Sequence, residues 1–463
     1  MEFFDVVVVG AGPAGLLAAG QAADAGRQVL LLEKMEKPGL KLRITGKGRC
    51  NITNTKPWHE FSTRLHPAPR FFKPAFTAFS NTQTIDFFKT IGLAVVVERG
   101  DRVFPASQRA QDVTDALVNW AVKKGVIIRC GAEVRRLCSA EGCVTSVEIK
   151  SVDKLEAIAA GAVILATGGL SYPATGSTGD GHRMAKETGH IVTNLRPSLV
   201  ALNVANHPKQ LQGLELKNVR LSLLVNGKNR AEEFGELLFT DTGIDGAIVL
   251  RVSRMAVDAL LQNLRVEVHL DLKPALTEEQ LRNRIHRELA ILGNAAVERM
   301  AAPMGARASR QLVQLKSGRK PAFTAGPEDF AIATVSALTR KLLPAELVEV
   351  FLTRANIARK SKTTLLSEED ITRIIAALRE WPMTVTGFQG YDRAVVTAGG
   401  VSLGEVDRKT MRSSKIMNLF FAGEILDLDG DTGGYNLQIA FSTGRLAGKS
   451  AATIAGAVRR PGG

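Results

Sequence analysis

A chain of 463 residues is long enough for two or three domains, and 45% hydrophobic with 23% charged residues excludes a mainly disordered protein. No uninterrupted apolar stretch of about 18 residues occurs, and no charged leader with a long apolar core precedes residue 3, so neither a membrane span nor a secretory signal is expected. The net charge of +14 says nothing about fold, but it favours an anionic partner.

Residues 3–9 form an apolar, β-branched run of buried parallel-strand type, and Gly10 ends it. In Gly10-Ala-Gly12-Pro13-Ala14-Gly15, Gly10 permits a tight turn and Gly12 lets the backbone approach a pyrophosphate. Gly15 lets helix and strand pack closely. The helix through about residue 25 would turn its first amides to the phosphates. A second strand, 28–32, ends at Glu33, whose carboxylate would accept the ribose hydroxyls of an adenosine. Strand, glycine turn, helix and acid together predict dinucleotide binding, without separating FAD from NAD.

A basic cluster follows (Lys34, Lys37, Lys41, Arg43, Lys47, Arg49), then helices at 82–91 and 110–124. Strands are expected at 126–130, 144–149 and 162–166, the last running into Thr167-Gly168-Gly169, a second place where backbone can approach a dinucleotide. Residues 196–272 read as short strands with turns, and 273–383 as mainly helical, with Ser367 and Asp370 marking a helix start. Strands return at 384–386, 393–398 and 418–422, and a helix runs from Tyr435 to about residue 457. The tail 459–463 is expected to be disordered. These readings give 1–195 as the first part of a cofactor domain, 196–383 as an insert, and 384–463 as its second part. The fold class is α/β, a Rossmann-like dinucleotide-binding domain split by an inserted β-rich plus helical domain. Cys50, Cys130, Cys138 and Cys143 include no Cys-x-x-Cys pair, which argues against a redox dithiol and a zinc site and fits a reducing cytoplasm. No second Gly-x-Gly-x-x-Gly follows a strand, so NAD(P)H, if it is the electron donor, docks transiently.

Three blocks carry a family resemblance. They are the loop Lys41-Leu-Arg-Ile-Thr45-Gly46-Lys47-Gly48-Arg49-Cys50-Asn51, the stretch Thr167-Gly168-Gly169 to Gly179-Asp180, and Gly423-Glu424…Asp427…Gly433-Gly434-Tyr435-Asn436. Over essentially the whole chain these resemble the YhiN/BaiN-like (aminoacetone-oxidase-like) flavoproteins. The resemblance implies a FAD-binding domain of the fumarate-reductase and glutathione-reductase type, and substrates that include uridine in ribosomal RNA and steroid-like enones. It places the cofactor against Gly10, Gly12, Pro13, Ala14, Gly15, Glu33 and Lys34, and against the loop residues Lys41, Thr45, Gly46, Gly48, Arg49, Cys50 and Asn51. It adds Val134, Thr167, Gly168, Gly169 and Gly179, and from the last block Gly423, Glu424, Asp427, Gly433, Gly434, Tyr435 and Asn436.

Reduced flavin carries negative charge over N1 and the C2 carbonyl, and Gly433-Gly434 lead into a helix whose N-terminal dipole would stabilise it. Glu424 is expected to bind rather than transfer protons, and Asp427 could do either. Cys50 is the candidate proton donor to a carbon beside the one that takes hydride, its acidity tuned by Lys47 and Arg49. His182 could donate to flavin or substrate, or cap a helix. The leading reading is a FAD-dependent reductase of an activated C=C bond, uridine in ribosomal RNA being favoured. Between residues 273 and 379 lie 18 basic against 11 acidic residues, half of the net +14. Arg307, Arg310, Lys316, Arg319, Lys320, Arg340, Lys341, Arg359, Lys360 and Lys362 would supply phosphate contacts. Alternatives are a small-molecule flavin oxidoreductase (enone reductase or amine oxidase) and a non-catalytic, flavin-bound RNA-binding protein.

Overall fold

The computed structural model describes residues 1–151, 154–301 and 334–457. Arg307, Arg310, Lys316, Arg319, Lys320 and the tail 459–463 lie outside the described residues. The chain divides into two compact units. The first takes Met1–Ala201, Ser253–Val257 and the chain from Phe388 onward; the second takes Leu202–Val252 and Asp258–Gly387.

In the first unit the strand Phe3–Val9 is central, buried along nearly its whole length as a strand covered on both faces must be. It pairs in parallel with Val29–Leu32 on one side and with Lys154–Leu165 on the other. Ile127–Arg129 extends the sheet beyond Val29–Leu32, and Leu419–Phe421 joins the end of Lys154–Leu165, both in parallel. The start of Lys154–Leu165 pairs antiparallel with Cys143–Ser151, which forms a hairpin with Ala132–Ala140. Four parallel strands therefore end at Gly10, Glu33, Ala166 and Ala422, on one edge of the sheet. In an open α/β sheet this is where a ligand binds.

The helices Pro13–Asp24 and Tyr435–Ala457 pack against each other closely. A Cβ at Gly444 would lie 2.3 Å from Ala14 O, and one at Gly448 2.2 Å from Ala18 O. Two glycines four residues apart thus let the backbones touch along one helix face. Gly20 does the same for the Trp120 ring on the helix Ala110–Lys123, where a Cβ would sit 2.1 Å from a ring carbon.

The second unit is built on a closed barrel. Its strand order is Leu202–Val204, Gly243–Asp245, Lys228–Phe239, Glu215–Val225, Val266–Asp271 and Trp381–Phe388. The helices Glu278–Ala301, Val335–Arg340, Ala345–Arg354 and Glu368–Arg379 belong to this unit, the last opened by a Ser367–Asp370 capping box. One correction concerns residues 196–272, read from sequence as strands and turns. They also contain the helix Ala247–Leu261, whose residues Ile248, Val249, Val252, Ala256 and Val257 are buried at helical spacing. Among the described residues no helix is long and apolar enough to cross a membrane.

Candidate functional site

The site begins at the first strand's exit. Gly10 has φ 99° and donates to Leu32 O (2.8 Å); a Cβ there would meet Ala166 O at 2.6 Å. At Gly15 a Cβ would fall 1.8 Å from Gly10 O. Gly12 differs: no atom lies within 4 Å of where its Cβ would be. Gly10 and Gly15 are thus required by the chain packing on itself, whereas Gly12 faces open space. A pyrophosphate against the helix that opens at Pro13-Ala14 needs such a cradle. Glu33 lies beside it, accepting from Ala11 N and Met35 N, both at 2.9 Å. Burial pushes its carboxyl above the usual range, against those bonds and Lys34. Val134 is buried on the neighbouring strand, which begins where Ala132 N donates to Glu33 O (2.9 Å).

Lys34 reaches Asp180 (2.6 Å) and Thr178, closing one loop over another. Gly179, at φ 82°, caps the helix Asp180–Glu187. Burial raises the Asp180 carboxyl, but the Lys34 and Thr178 hydrogen bonds outweigh it and hold the group below its ordinary value. Thr167 Oγ1 is buried without a hydrogen-bond partner among the described residues, and so is His182 Nδ1, whose Nε2 lies 3.2 Å from Ile425 O. An orphaned hydroxyl beside Gly168 (φ 76°) and Gly169 is what a site for a polar ligand leaves in the protein alone.

Lys41 and Glu424 come together from opposite ends of the chain. The Lys41 ammonium donates to Glu424 Oε2 (2.8 Å) and Ser171 Oγ (2.6 Å). Ser171 Oγ and Thr397 N donate to Glu424 Oε1 at 2.8 and 2.9 Å. Thr397 Oγ1 in turn accepts from Leu170 N (2.8 Å) and Ser171 N (3.1 Å). Burial raises the Glu424 carboxyl, yet the Lys41 charge and these donors together hold it below the ordinary carboxylate range. Ser171 and Thr397 were not legible as partners of Glu424, because they lie 253 and 27 positions from it along the chain.

The cysteine loop is a run of left-handed backbone. After the helical residues from Leu40, Gly46, Lys47, Gly48 and Cys50 have φ of 57°, 57°, 83° and 60°. Thr45 Oγ1 donates to Leu42 O (2.7 Å), and Cys50 N donates to Thr45 O (3.0 Å). Cys50 itself lies inside the protein. Protein atoms enclose it completely, and burial pushes its thiol up to about 12 despite a hydrogen bond with Thr45. Arg49, expected to tune it, lies instead over the Phe104 ring (4.2 Å), donates to Gln108 Oε1 (2.6 Å) and pairs with Glu98. The thiol is thus closed in on all sides and its neighbouring cation is engaged elsewhere.

Asn51, its amide oriented by the hydrogen-bond network, accepts from Gly434 N (3.1 Å) and donates to Thr53 O (2.9 Å). Asn54 Nδ2 donates to Gly433 O at 2.9 Å. Gly433 and Gly434 have φ of 124° and 87°, and a Cβ at Gly434 would strike Thr53 backbone at 2.5 Å. Tyr435 is buried with its ring 4.7 Å from Phe61, and burial raises its phenol. Asn436 holds neighbouring chain, accepting from Gly430 N (2.8 Å) and donating to Gly430 O (2.6 Å). Asp427 is half-buried, its amide donating to Val401 O (3.0 Å). Sequence reasoning passed over Asp429 and Asp431, although two acids beside Gly433 were a visible signal. Asp429 is buried against Arg254 (3.1 Å) and Ser198 (3.2 Å), and burial raises its carboxyl.

The chain is similar to known proteins along nearly its whole length. A family model described as an HI0933-like protein Rossmann domain matches residues 4–450. The chain is 30% identical over 448 residues, covering 96% of it and 98% of the relative, to a 3-dehydro-bile acid delta(4,6)-reductase of Clostridium scindens. It is 28% identical over 444 residues, covering 96% of both, to a ribosomal RNA dihydrouridine synthase of Escherichia coli. In fold it is similar to a 3-ketosteroid delta1-dehydrogenase from Sterolibacterium denitrificans. That likeness has a TM-score of 0.50 and 12% identity, and covers 98% of this chain and 100% of the other. The open cradle at Gly12 and the unpaired Thr167 hydroxyl are consistent with a bound dinucleotide.

Proposed function

Since the chain belongs to the HI0933-like family and is an FAD-dependent oxidoreductase, we propose that it reduces a carbon–carbon double bond activated by a neighbouring carbonyl, with uridine in ribosomal RNA as the favoured substrate. The observation that carries this is a single one. Two relatives matched along nearly the whole chain are both named for saturating such a bond, one in a ribonucleoside and one in a steroid skeleton. Bound FAD would supply hydride to one carbon of that bond, with a dihydronicotinamide as the proposed electron donor.

The chain's own residues bind and orient. Gly12 and the first amides of the helix Pro13–Asp24 receive the pyrophosphate, and Glu33 receives the adenosine ribose. Thr167 would offer an unengaged hydroxyl to the cofactor, and Glu424, held by Lys41, lies beside Gly169 of the same turn. Gly433 and Gly434 bring the N-terminus of the helix Tyr435–Ala457 to the place where negative charge develops. Val134, Gly179, Gly423 and the loop from Thr45 to Asn51 shape the remaining wall.

RNA is favoured over a free metabolite by the net charge of +14 and by a second ribosomal RNA dihydrouridine synthase among the relatives, from Haemophilus influenzae, 27% identical over 446 residues. The competing reading, a small enone, has the 30% identity to the bile-acid enzyme in its favour. The test is the dihydrouridine content of 23S ribosomal RNA, by mass spectrometry, from cells lacking the gene and from cells complemented with it. A dihydrouridine lost on deletion and restored on complementation is expected. An unchanged nucleoside profile overturns RNA reduction, and turnover of a 3-oxo-4-ene steroid by the purified holoprotein would then establish the small-molecule reading.

A further inference from the structure

A reduction of this kind needs an acid on the substrate side, and Cys50 is enclosed on all sides by protein atoms. The chain just ahead of Gly433 offers another group. Asp429–Gly430 is a two-residue strand paired antiparallel with Leu65–His66, placing Asp429 opposite His66. Asn436 clamps this strand to the first turn of the helix Tyr435–Ala457, the helix end the proposed function assigns to the flavin. His66 Nε2 comes to 3.6 Å from Asp431 Oδ1, while Arg64 holds Asp431 Oδ2 at 3.2 Å. Asp429 is withdrawn, anchored by Arg254 and Ser198. Side-chain exposure separates the three titratable groups: 2% for Asp429, 10% for Asp431 and 36% for His66. Only the imidazole presents a substantial surface to an incoming molecule.

We propose that His66, oriented by Asp431, is the acid that protonates the substrate carbon adjacent to the one receiving hydride. This rests on the C=C reductase reading above. The hydride brings two electrons and forms one C–H bond. The π pair moves to the neighbouring carbon, which forms a second C–H bond with a proton from the imidazolium. The double bond becomes single, the ring becomes neutral, and solvent returns its proton; the two electrons originate in a dihydronicotinamide. The charged groups around the ring are Arg64 from the turn just before its strand, and Asp429 and Asp431 from the facing segment. Arg196 and Arg254 stand behind Asp429. Asp431 therefore serves as a positioning residue, held in place from its other side by Arg64.

The test uses full-length, FAD-loaded protein and separates the two half-reactions by stopped flow. In His66→Asn, flavin reduction by NADPH stays within about twofold of wild type, while re-oxidation by ribosomal RNA or a 3-oxo-4-ene steroid slows about 10²- to 10³-fold. Asp431→Asn slows the same step about tenfold with no loss of bound FAD. A second readout needs neither turnover nor a variant: carbethoxylation of the histidines in wild-type holoprotein, mapped by peptide mass spectrometry. Saturating steroid or RNA should shield His66 and leave His59, 79% exposed, fully labelled. A wild-type protein whose reduced flavin neither compound re-oxidises overturns the reductase reading, and the acid role falls with it. A wild type that turns over, with His66→Asn re-oxidised at the normal rate or His66 labelled equally with ligand present, overturns the acid role alone.

Discussion

Replacing Glu424 by alanine tests whether the pair joining the two ends of the chain holds the site together. The substitution removes the acceptor of three donors: the Lys41 ammonium, Ser171 Oγ and Thr397 N. Each side chain of the ion pair is 21% exposed, so water replaces only part of what is lost. Stranding a largely buried charge costs about 3–5 kcal/mol, and the orphaned amide of Thr397 is the kind of group that adds about 1–3 kcal/mol when it stays dry. Partial solvent access argues for the lower end, about 3–4 kcal/mol. Lys41→Met should cost less, because the carboxylate keeps Ser171 and Thr397. In the double variant Lys41→Met/Glu424→Ala neither charge remains, and the loss should be smaller than the sum of the singles by about 2 kcal/mol. The assay is a double-mutant cycle on urea unfolding of the apoprotein, with FAD affinity measured in parallel. Single variants each costing under about 1 kcal/mol and adding without coupling would refute the reasoning.

The same pair sets a pH dependence. The Glu424 carboxyl is depressed in the folded protein, so its stabilisation is complete above the ordinary glutamate value of 4.5 and is lost as the pH falls below it. Wild type should therefore lose more stability than Glu424→Gln between about pH 5 and pH 3, as read by thermal unfolding. Gly12→Ala should leave the apoprotein's unfolding temperature unchanged and weaken FAD binding at least about tenfold, since the added methyl meets no protein atom but fills the cradle. Gly15→Ala, with a Cβ 1.8 Å from Gly10 O, should destabilise the apoprotein itself. Cys50→Ala should keep kcat within about threefold of wild type, and native Cys50 should resist iodoacetamide that labels the partly exposed Cys138. Loss of turnover with retained FAD would contradict the enclosed geometry. Gly448→Val, driven into Ala18 O from 2.2 Å, should cost about 3 kcal/mol or more; a variant as stable as wild type would show that the two helices separate freely.

Local signals in the chain determined the cofactor half of this protein. A β-branched run stopped by Gly10, glycines at 12 and 15, and an acid ending the next strand are adjacent in sequence, and each acts through backbone geometry that neighbouring residues dictate. The Ser367–Asp370 capping box and the helix from Tyr435 are of the same kind. Only tertiary structure decided what distant segments do to one another. It set Lys41 against Glu424, 383 positions apart, and turned Arg49 towards Glu98 rather than Cys50. It closed a barrel with the strand Trp381–Phe388, whose partner Val266–Asp271 lies across the whole helical stretch. Two-residue strands such as Leu65–His66 carry no periodicity at all, so the pairing that faces His66 with Asp429 and brings its ring to Asp431 has no signature in sequence. A thiol's acidity or a histidine's reach depends on how much protein surrounds it, and that burial is a property of the packed core rather than of the neighbouring residues.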